Sequence, residues 1–318
     1  MRYAFIVNPI SGTGKKNKEV IAAAENLIRD HMDEDIIICP TNAYENGAKI
    51  ADTLASEALK AGDDVVVFAC GGDGTAHEIA NGIYGYDNAI LGMVPIGTGN
   101  DLCRALAKDK VHFTEYLNLE KQLNGRAKDI DVIEISWMFG STEKSCICVN
   151  GVNIGFDGNT AVRATHINEK TMFKGSLAYL AAVFVTLVGK DGQSLRITAD
   201  GEPFYDGDLL LATMSNGNYC GGGIESCPNA VLDDGLIELL AIKDMSRMSF
   251  ISKFPKFKAG RLFDIKDVDD IATYKQVKRI TVEPLRGETM EFVIDGEVYN
   301  TPKIEVEIKP RALKLWEI

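Results

Sequence analysis

Residues 68–82, FACGGDGTAHEIANG, pack four glycines around an acid and a threonine just after a short apolar run. Glycines let a backbone approach a ligand closely and leave its N–H groups open to phosphate oxygens. A carboxylate beside phosphates is repulsive unless a cation lies between them, so Asp73, together with Asp101 of a later loop, is an informative residue. Mg²⁺ bridging phosphates and carboxylates is the usual solution. We therefore expect Asp73 to serve such a complex rather than the core.

Two further loops carry glycine with small polar residues, NPISGTGKKN at 8–17 and GTGND at 97–101. A helix that begins beyond each loop would add a partial positive end. One helix end stabilises an exposed anion by only about 0.3–1 kcal/mol, so several must converge to hold a polyphosphate. The three loops together predict such a site, although any one of them alone also fits an ordinary tight turn.

Neither of two common phosphate-binding signatures fits these loops. SGTGKK resembles a Walker A loop, but Lys16 stands where Ser or Thr is required and Pro9 where the first glycine belongs. GGDGT is not the G-x-G-x-x-G pattern of dinucleotide-binding folds, and it places an acid within the turn. We therefore assign the loops to neither class.

Strand-like and helix-like segments alternate over about the first 130 residues. Short, wholly apolar strands are typical of a parallel sheet covered on both faces. Ligands of such sheets bind at the carboxyl ends of the strands. We predict a parallel, Rossmann-like α/β domain with strands at Tyr3–Val7, Ile36–Cys39, Val65–Ala69 and Ile90–Val94 and helices at Asn17–His31, Glu45–Ala61 and Ala76–Ile83.

The pattern changes after Asp129, where apolar and polar residues alternate at period two, as around Leu195 and Ile197. This alternation is typical of antiparallel strands with one buried face. We predict a domain boundary near Arg126–Asp131. The predicted domains are an α/β domain over 1–129, which residues from about 310 to 318 rejoin, and a mostly antiparallel, β-rich domain over 130–309.

Composition and charge restrict the partners. The 318 residues are 46% hydrophobic and 25% charged, and the net charge of −12 repels nucleic acid at long range, so we expect no nucleic-acid partner. The longest apolar run, Leu177–Val188, is shorter than the roughly 20 residues of a membrane span. Tyr3–Val7 is too short for a signal peptide, which predicts a cytoplasmic protein.

The chain has seven cysteines and no secretion signal, which indicates buried thiols in a reducing compartment. A zinc site is the alternative, but its first pair would have CxC spacing instead of the usual C-x₂₋₄-C. The four residues that such a site would use are Cys146, Cys148, Cys220 and Cys227.

Five segments, taken together, resemble those of one enzyme family. They are NPISG at 8–12, GGDGT at 71–75, GTGND at 97–101, NAVLDDGLIEL at 229–239 and FVIDGEVY at 292–299. The sequence resembles the diacylglycerol kinase catalytic-domain superfamily over its whole length, and most closely its bacterial soluble lipid kinases. GGDGT also occurs in NAD kinases, so GTGND and DGE are the discriminating segments.

The resemblance implies two domains with ATP in the cleft between them. It also implies that Asp295 and Glu297 face the acceptor hydroxyl, with Asp295 as the base and Glu297 as its partner or substitute. Taken alone, DGE after an apolar strand equally fits a hairpin turn with solvated acids. The nucleotide-contacting residues implied by the resemblance are Asn8, Ser11, Gly12, Thr41, Gly71, Gly72, Asp73, Gly74, Thr75, Glu78, Thr98, Asn100 and Asp101.

The resemblance further implies a structural Mg²⁺ held by the Asp234 carboxylate and the Leu236 carbonyl. In the relatives another oxygen side chain often stands three residues before that aspartate, but here the residue is Val231. Its carbonyl or a water replaces the side chain, or the site is weaker. Asp233 is a less favoured replacement.

Two segments are candidates for contact with a lipid. Thr171–Val188 is apolar nearly all round and fits either an acceptor slot or plain core. Met245–Phe263 interleaves five basic residues with four phenylalanines and has no acid. That composition suits a membrane interface, and an amphipathic segment packed on the second domain equally well.

We therefore predict a kinase that uses ATP and Mg²⁺ to phosphorylate a lipid hydroxyl, with diacylglycerol as the favoured acceptor. It would work at the membrane surface by transient association, without a transmembrane segment, and a homodimer is left open. The alternative acceptors are a polyprenol, a sphingoid base, phosphatidylglycerol and soluble NAD. A nucleotide-binding regulatory module without catalysis is the alternative from another class.

Overall fold

The computed structural model describes residues 1–9, 14–42, 46–107, 110–155, 193–287, 289–295 and 297–318. These residues form two compact units, of which the first comprises Met1–Val132 with Pro310–Ile318 and the second Ile133–Lys309. The apolar segment Thr171–Val188 lies outside the described residues, so its predicted role stays a prediction.

The first unit alternates strands and helices as the sequence predicts. Its four opening strands pair only in parallel, in the order β2-β1-β3-β4. They are β1 (Arg2–Val7), β2 (Asp35–Pro40), β3 (Val65–Gly71) and β4 (Ala89–Pro95), and the described helices are α1 (Gly14–Asp30), α2 (Gly47–Ala61), α3 (Asp73–Ile83), α4 (Asp101–Ala107), α5 (Lys110–Glu115) and α6 (Leu119–Gln122).

Burial on both faces explains why these strands are wholly apolar. Every residue of β3 and of β4 is buried. On one face α1 packs its apolar positions against the strands, where the rings of Phe5 and Phe68 stack with centroids 4.6 Å apart. Helices α2 and α3 contact the strands and each other. A parallel sheet covered by helices follows directly from this pattern.

Helix α3 begins three residues earlier than the sequence analysis predicts, at Asp73 rather than Ala76. Gly72 has the extended backbone of an N-cap residue, and the acid in the first turn is favoured by the positive end of the helix. The connection between β3 and α3 is therefore the single residue Gly72, and most of GGDGT is helical.

The second unit is built from antiparallel pairs. Strands β14-β13-β7-β9-β8-β12-β15 lie in that order, β9 also pairs with β10, which pairs with β11, and β5 pairs with β6. The strands are β5 (Arg126–Phe139), β6 (Thr142–Cys148), β7 (Gly151–Ile154), β8 (Gln193–Ala199), β9 (Glu202–Ser215), β10 (Ile237–Lys243), β11 (Ala272–Val277), β12 (Arg279–Pro284), β13 (Met290–Ile294), β14 (Glu297–Thr301) and β15 (Ile304–Glu317).

Two long strands, β5 and β15, each have residues in both units. β5 begins in the first unit and continues in the second, and β15 runs the other way, so that Lys314 and Leu315 pair in parallel with β4. The predicted fold class, a parallel α/β domain followed by a mostly antiparallel β domain, is confirmed.

One helix of the second unit occupies most of the basic and aromatic segment. It is α7 (Arg247–Lys258), followed by a 3₁₀ turn at Leu262–Asp264 and by α8 (Val268–Ile271). Phe250, Phe254 and Phe257 are buried in a core cluster of the unit. Three of the four phenylalanines that suggested a membrane interface therefore serve the core.

Phe68 offers a test of the first unit's packing. Phe68→Ala is expected to lower the free energy of unfolding by about 3–5 kcal/mol, because the fully buried ring leaves a cavity. Leu59→Ala removes a side chain that is 56% exposed and is expected to change it by less than about 0.5 kcal/mol. Urea titrations of both variants measure the difference. Equal losses would contradict the assigned core.

Candidate active site

The strand order of the first unit creates a crevice where the helices change sides. β1 and β3 are neighbours in the sheet. From β1 the chain passes through α1 to β2, and from β3 it passes through α3 to β4 on the opposite side, so the connections after β1 and β3 diverge from each other. Ligands of open α/β sheets bind at such a switch point, beyond the carboxyl ends of the strands. Asn8, just after β1, donates from Nδ2 to Oγ1 of Thr75 in α3 at 3.4 Å, which bridges the two sides.

The turns after β3 and β4 lie backbone against backbone. The Gly71 carbonyl accepts hydrogen bonds from the N–H groups of Ile96 at 3.1 Å and Gly97 at 3.0 Å. A Cβ atom on Gly97 would lie 2.3 Å from Cα of Gly72, closer than real Cβ contacts come. The glycines thus bring GGDGT and GTGND together, as the sequence analysis predicts.

Asp73 links these two turns through its side chain. Its Oδ1 accepts hydrogen bonds from the N–H of Asp101 at 2.7 Å and, more weakly, of Leu102 at 3.4 Å, both in the first turn of α4. An acceptor at this place satisfies N–H groups that have no partner within the helix. Asp73 therefore has a capping contact within the fold, which the sequence analysis did not expect.

Glu78 forms a similar contact with another helix. Its Oε2 accepts a hydrogen bond at 2.9 Å from the N–H of Gly47, the first residue of α2. The preceding residue, Asn46, caps the same helix by accepting from the N–H of Lys49 at 3.1 Å. A predicted nucleotide-contacting acid thus also holds the start of a helix in place.

The remaining predicted nucleotide residues differ in exposure. Asn100 is buried with a φ of 56°, donates from Nδ2 to the Gly97 carbonyl at 2.8 Å, and its Oδ1 has no hydrogen-bond partner among the described residues. Thr98 is exposed, and Thr41 donates its N–H to the Val7 carbonyl at 2.9 Å. Ser11 and Gly12 lie outside the described residues.

In the second unit, the predicted base Asp295 lies in a tight hairpin. Ile294 pairs with Glu297, so β13 and β14 are joined through only two residues, and Asp295 adopts a φ of 44°. This agrees with the turn that Asp-Gly signals. The acid is nevertheless not solvated, because Asp295 is only 7% exposed. The side chain of Glu297 lies outside the described part of the chain.

Asp295 is held by the turn between β6 and β7. Its Oδ1 accepts from the Cys148 thiol at 3.1 Å and the Gly151 N–H at 3.3 Å, and its Oδ2 accepts from the Val149 N–H at 3.3 Å. The sequence analysis missed this turn. The dipeptide Asn150-Gly151 signals a turn between strands, but nothing in the sequence shows that it holds Asp295.

A second DGE segment shows what distinguishes Asp295. Asp200 and Gly201 connect β8 to Glu202, the first residue of β9, in a hairpin of the same length, and Asp200 has a φ of 51°. Asp200 is exposed, and its Oδ1 accepts from the N–H groups of Lys278 and Arg279, both at 2.9 Å. Burial, and not the sequence of the turn, separates the two aspartates.

The predicted metal residues lie in one turn before β10. The Leu236 N–H donates to Oδ1 of Asp234 at 3.0 Å, and Gly235 between them has a φ of 74°. The side chain of Val231 is 48% exposed and offers no ligand atom, so only its carbonyl could bind. One carboxylate and backbone carbonyls are oxygen ligands of the kind that Mg²⁺ takes, with water completing the shell. The donor set therefore fits the predicted ion.

The described residues contain neither a cluster of potential metal-binding side chains nor a helix that could span a membrane. No group of three or more histidine, cysteine, aspartate or glutamate side chains is placed to hold a metal ion among them. Within the same residues, no helix combines the length and the apolar character that crossing a membrane requires.

Comparison with known protein families identifies the family of the chain. Residues 150–317, more than half of the chain, match the family described as YegS C-terminal NAD kinase beta sandwich-like domain, and residues 2–135 match the Diacylglycerol kinase catalytic domain. The chain belongs to the bacterial diacylglycerol kinase-like lipid kinase family. The predicted family is thereby confirmed, and so is the prediction that the protein is a lipid kinase enzyme.

Individual members of this lipid kinase family resemble the chain along most of its length. The "Diacylglycerol kinase" of Bacillus subtilis is 26% identical over 93% of this chain and 89% of its own. "Probable lipid kinase YegS" of Escherichia fergusonii is 27% identical over 97% and 93%. A crystal structure of a diacylglycerol kinase from Bacillus anthracis has the same fold, with a TM-score of 0.68 and 21% identity over 99% of this chain and 96% of that one.

Two substitutions of Asp73 separate its capping contact from its predicted role beside the phosphates. Asp73→Ala removes the acceptor for α4 and is expected to lower the free energy of unfolding by about 1 kcal/mol. Asp73→Asn keeps an acceptor oxygen and is expected to lose less than half of that. Both variants are expected to lose turnover, because both lack the charge. An Asn variant with wild-type turnover would show that Asp73 only caps the helix.

Proposed function

We propose that this lipid kinase transfers the γ-phosphoryl group of ATP to the hydroxyl of a lipid, most simply of diacylglycerol, which yields phosphatidic acid. The observation that carries the proposal is the convergence of the turns after β3 and β4 beside the switch point. Their backbones lie in contact through Gly71 and Gly97. A bare backbone at the carboxyl ends of parallel strands suits a polyphosphate.

Phosphoryl transfer depends mainly on positioning and on charge neutralisation. The loop residues Asn8, Thr75, Thr98 and Asn100 would orient the nucleotide in this proposal. The buried Oδ1 of Asn100, which has no partner among the described residues, would accept a hydrogen bond from a ligand group. Mg²⁺ bound with ATP would supply neutralisation of the phosphate charge.

Asp295 would accept the proton of the acceptor hydroxyl. The hydroxyl oxygen forms the new bond to the γ-phosphorus, the bond from phosphorus to the leaving oxygen of ADP breaks, and the proton goes to the carboxylate. A base must be held within hydrogen-bond reach of that proton. The Cys148 thiol and the N–H groups of Val149 and Gly151 are neutral donors that hold the Asp295 carboxylate in a buried hairpin, which supports the assignment.

The Mg²⁺ site and the membrane contact are further parts of the proposal. Asp234, with the carbonyls of Leu236 and Val231, would hold the structural ion near the start of β10. The lipid acceptor would be met at the membrane surface by transient association. On α7, the exposed lysine side chain of Lys256 also donates to the Asp264 carbonyl at 3.0 Å, so the segment has a structural role as well.

The acceptor is identified by comparing a lipid extract with single defined acceptors. The protein is incubated with labelled ATP, Mg²⁺ and either a total lipid extract or one defined acceptor: diacylglycerol, a polyprenol, a sphingoid base, phosphatidylglycerol or NAD. The proposal predicts labelled phosphatidic acid from the extract and the fastest rate with diacylglycerol. Label on NAD alone, or no ATP-dependent product at all, would contradict it.

Asp295→Asn tests the base, with Asp200→Asn as its matched control. Asp295→Asn is expected to lower kcat by about 10²–10⁴-fold, the usual scale for a general base. The NH₂ group of the new amide faces one of the groups that donate a hydrogen bond to Asp295, which can destabilise the fold. Thermal unfolding is therefore measured in parallel. ATP affinity is expected to stay nearly unchanged.

Asp200→Asn removes the same charge from a DGE segment whose aspartate has a similar positive φ, but from an exposed position. It is expected to keep wild-type kcat, because the hydrogen bonds described for Asp200 come from backbone N–H groups, which an amide oxygen also accepts. If both variants keep the wild-type kcat, Asp295 is not the base.

A further inference from the structure

The turn between β6 and β7 contacts Asp295 with both backbone and side-chain groups. Val149 and Gly151 donate their backbone N–H groups, and Asp295 in return donates its N–H to the Gly151 carbonyl at 3.4 Å. Cys148 adds the side-chain donor, with its sulfur 3.1 Å from Oδ1. The backbone donors are present for any residue except proline at these positions, but the thiol is specific to cysteine.

The same turn is fixed on its other side by the segment that follows β9. Asn216 donates from Nδ2 to the Val149 carbonyl at 3.2 Å and from its N–H to the Asn150 carbonyl at 2.9 Å. Asn150 donates from Nδ2 to the Tyr219 carbonyl at 2.8 Å. The turn is therefore a fixed support, against which a donor can define the orientation of a carboxylate.

Cys148 is fully buried at the end of β6. Burial above all, and then the charge of Asp295 and the hydrogen bond to it, raise the pKa of the Cys148 thiol well above its ordinary value. The thiol therefore keeps its proton and acts as a donor. A buried carboxylate needs such donors, since a buried charge without hydrogen bonds is costly.

We propose that Cys148 is a positioning residue of the phosphoryl transfer, whose S–H group fixes the orientation of the Asp295 carboxylate. The inference rests on the proposed function, in which Asp295 takes the proton of the acceptor hydroxyl. The thiol is neutral, so it orients the carboxylate and leaves its negative charge intact. Asp200, in the other DGE hairpin, is held by backbone N–H groups alone among the hydrogen bonds described for it.

Three cysteine variants test this role. Cys148→Ala removes the donor, and Cys148→Ser replaces it with a hydroxyl donor. Cys146→Ala is the matched control, because it deletes a half-buried thiol two residues earlier on the same strand, at a position that packs against the same core. Single-turnover rates at saturating ATP and diacylglycerol, the KM of each substrate, and thermal unfolding are measured for all three.

The rate of Cys148→Ala is expected to fall about 10- to 100-fold, the scale of a small misplacement of a reacting group. The KM values for ATP and diacylglycerol are expected to stay within about 3-fold, since Cys148 contacts neither substrate in this mechanism. Cys148→Ser is expected to recover a rate within about 3-fold of wild type, and Cys146→Ala to match wild type.

A merely structural role gives a different pattern. If Cys148 only fills space, the Ala variant unfolds at lower temperature but reacts at the wild-type rate per folded molecule. If Ala and Ser slow the reaction equally, the hydrogen bond is not what matters. Either result overturns the inference. Should Cys148→Ala fail to fold, a Ser variant that folds but has lost the rate also overturns it, and one with the wild-type rate supports it.

Asp295→Asn, measured in the same series, distinguishes failure of the inference from failure of the proposed function. If that variant is slow and Cys148→Ala is not, the base assignment stands and only the role of Cys148 falls. If Asp295→Asn reacts at the wild-type rate, the proposed base is wrong and the role of Cys148 falls with it.

Discussion

The backbone of the turn after β3 lies directly against the backbone of the turn after β4, and the first unit's site depends on this contact. The Gly71 carbonyl joins them by accepting from the N–H groups of Ile96 and Gly97. No side chain fits between them, since a Cβ on Gly97 would lie 2.3 Å from Cα of Gly72 and a Cβ on Gly72 would lie 3.3 Å from Cα of Gly97. Asp73 can therefore reach α4 and accept from its first N–H groups.

This contact changes how the acids of the site are understood. The sequence alone suggests carboxylates that face a cation and phosphates. In the structure, Asp73 accepts from the start of α4 and Glu78 from the start of α2. Because the first N–H groups of α4 already have an acceptor, the proposal for ATP rests on the bare glycine backbone more than on that helix end.

The periodicity of apolar residues predicted the fold class, because burial on two faces or on one leaves a direct trace in the sequence. Strand order and the burial of Asp295 depend on contacts between distant residues, which a local pattern cannot show. DGE occurs twice, and only the tertiary structure distinguishes Asp295 from the exposed Asp200. The phenylalanines of α7 resemble a membrane-binding pattern in sequence, yet three of the four are packed in the core.

Gly74 provides the most direct test, because it is a glycine that packing does not require. A Cβ at this position in α3 would meet nothing within 4 Å, and its φ lies outside the left-handed region. Gly74→Ala is therefore expected to leave the fold intact or stabilise it by up to about 1 kcal/mol. If ATP phosphates lie on this backbone, the added methyl group must obstruct them. Calorimetric titration with MgATP is predicted to show at least about 10-fold weaker binding by this stable variant. Unchanged ATP affinity would contradict the account.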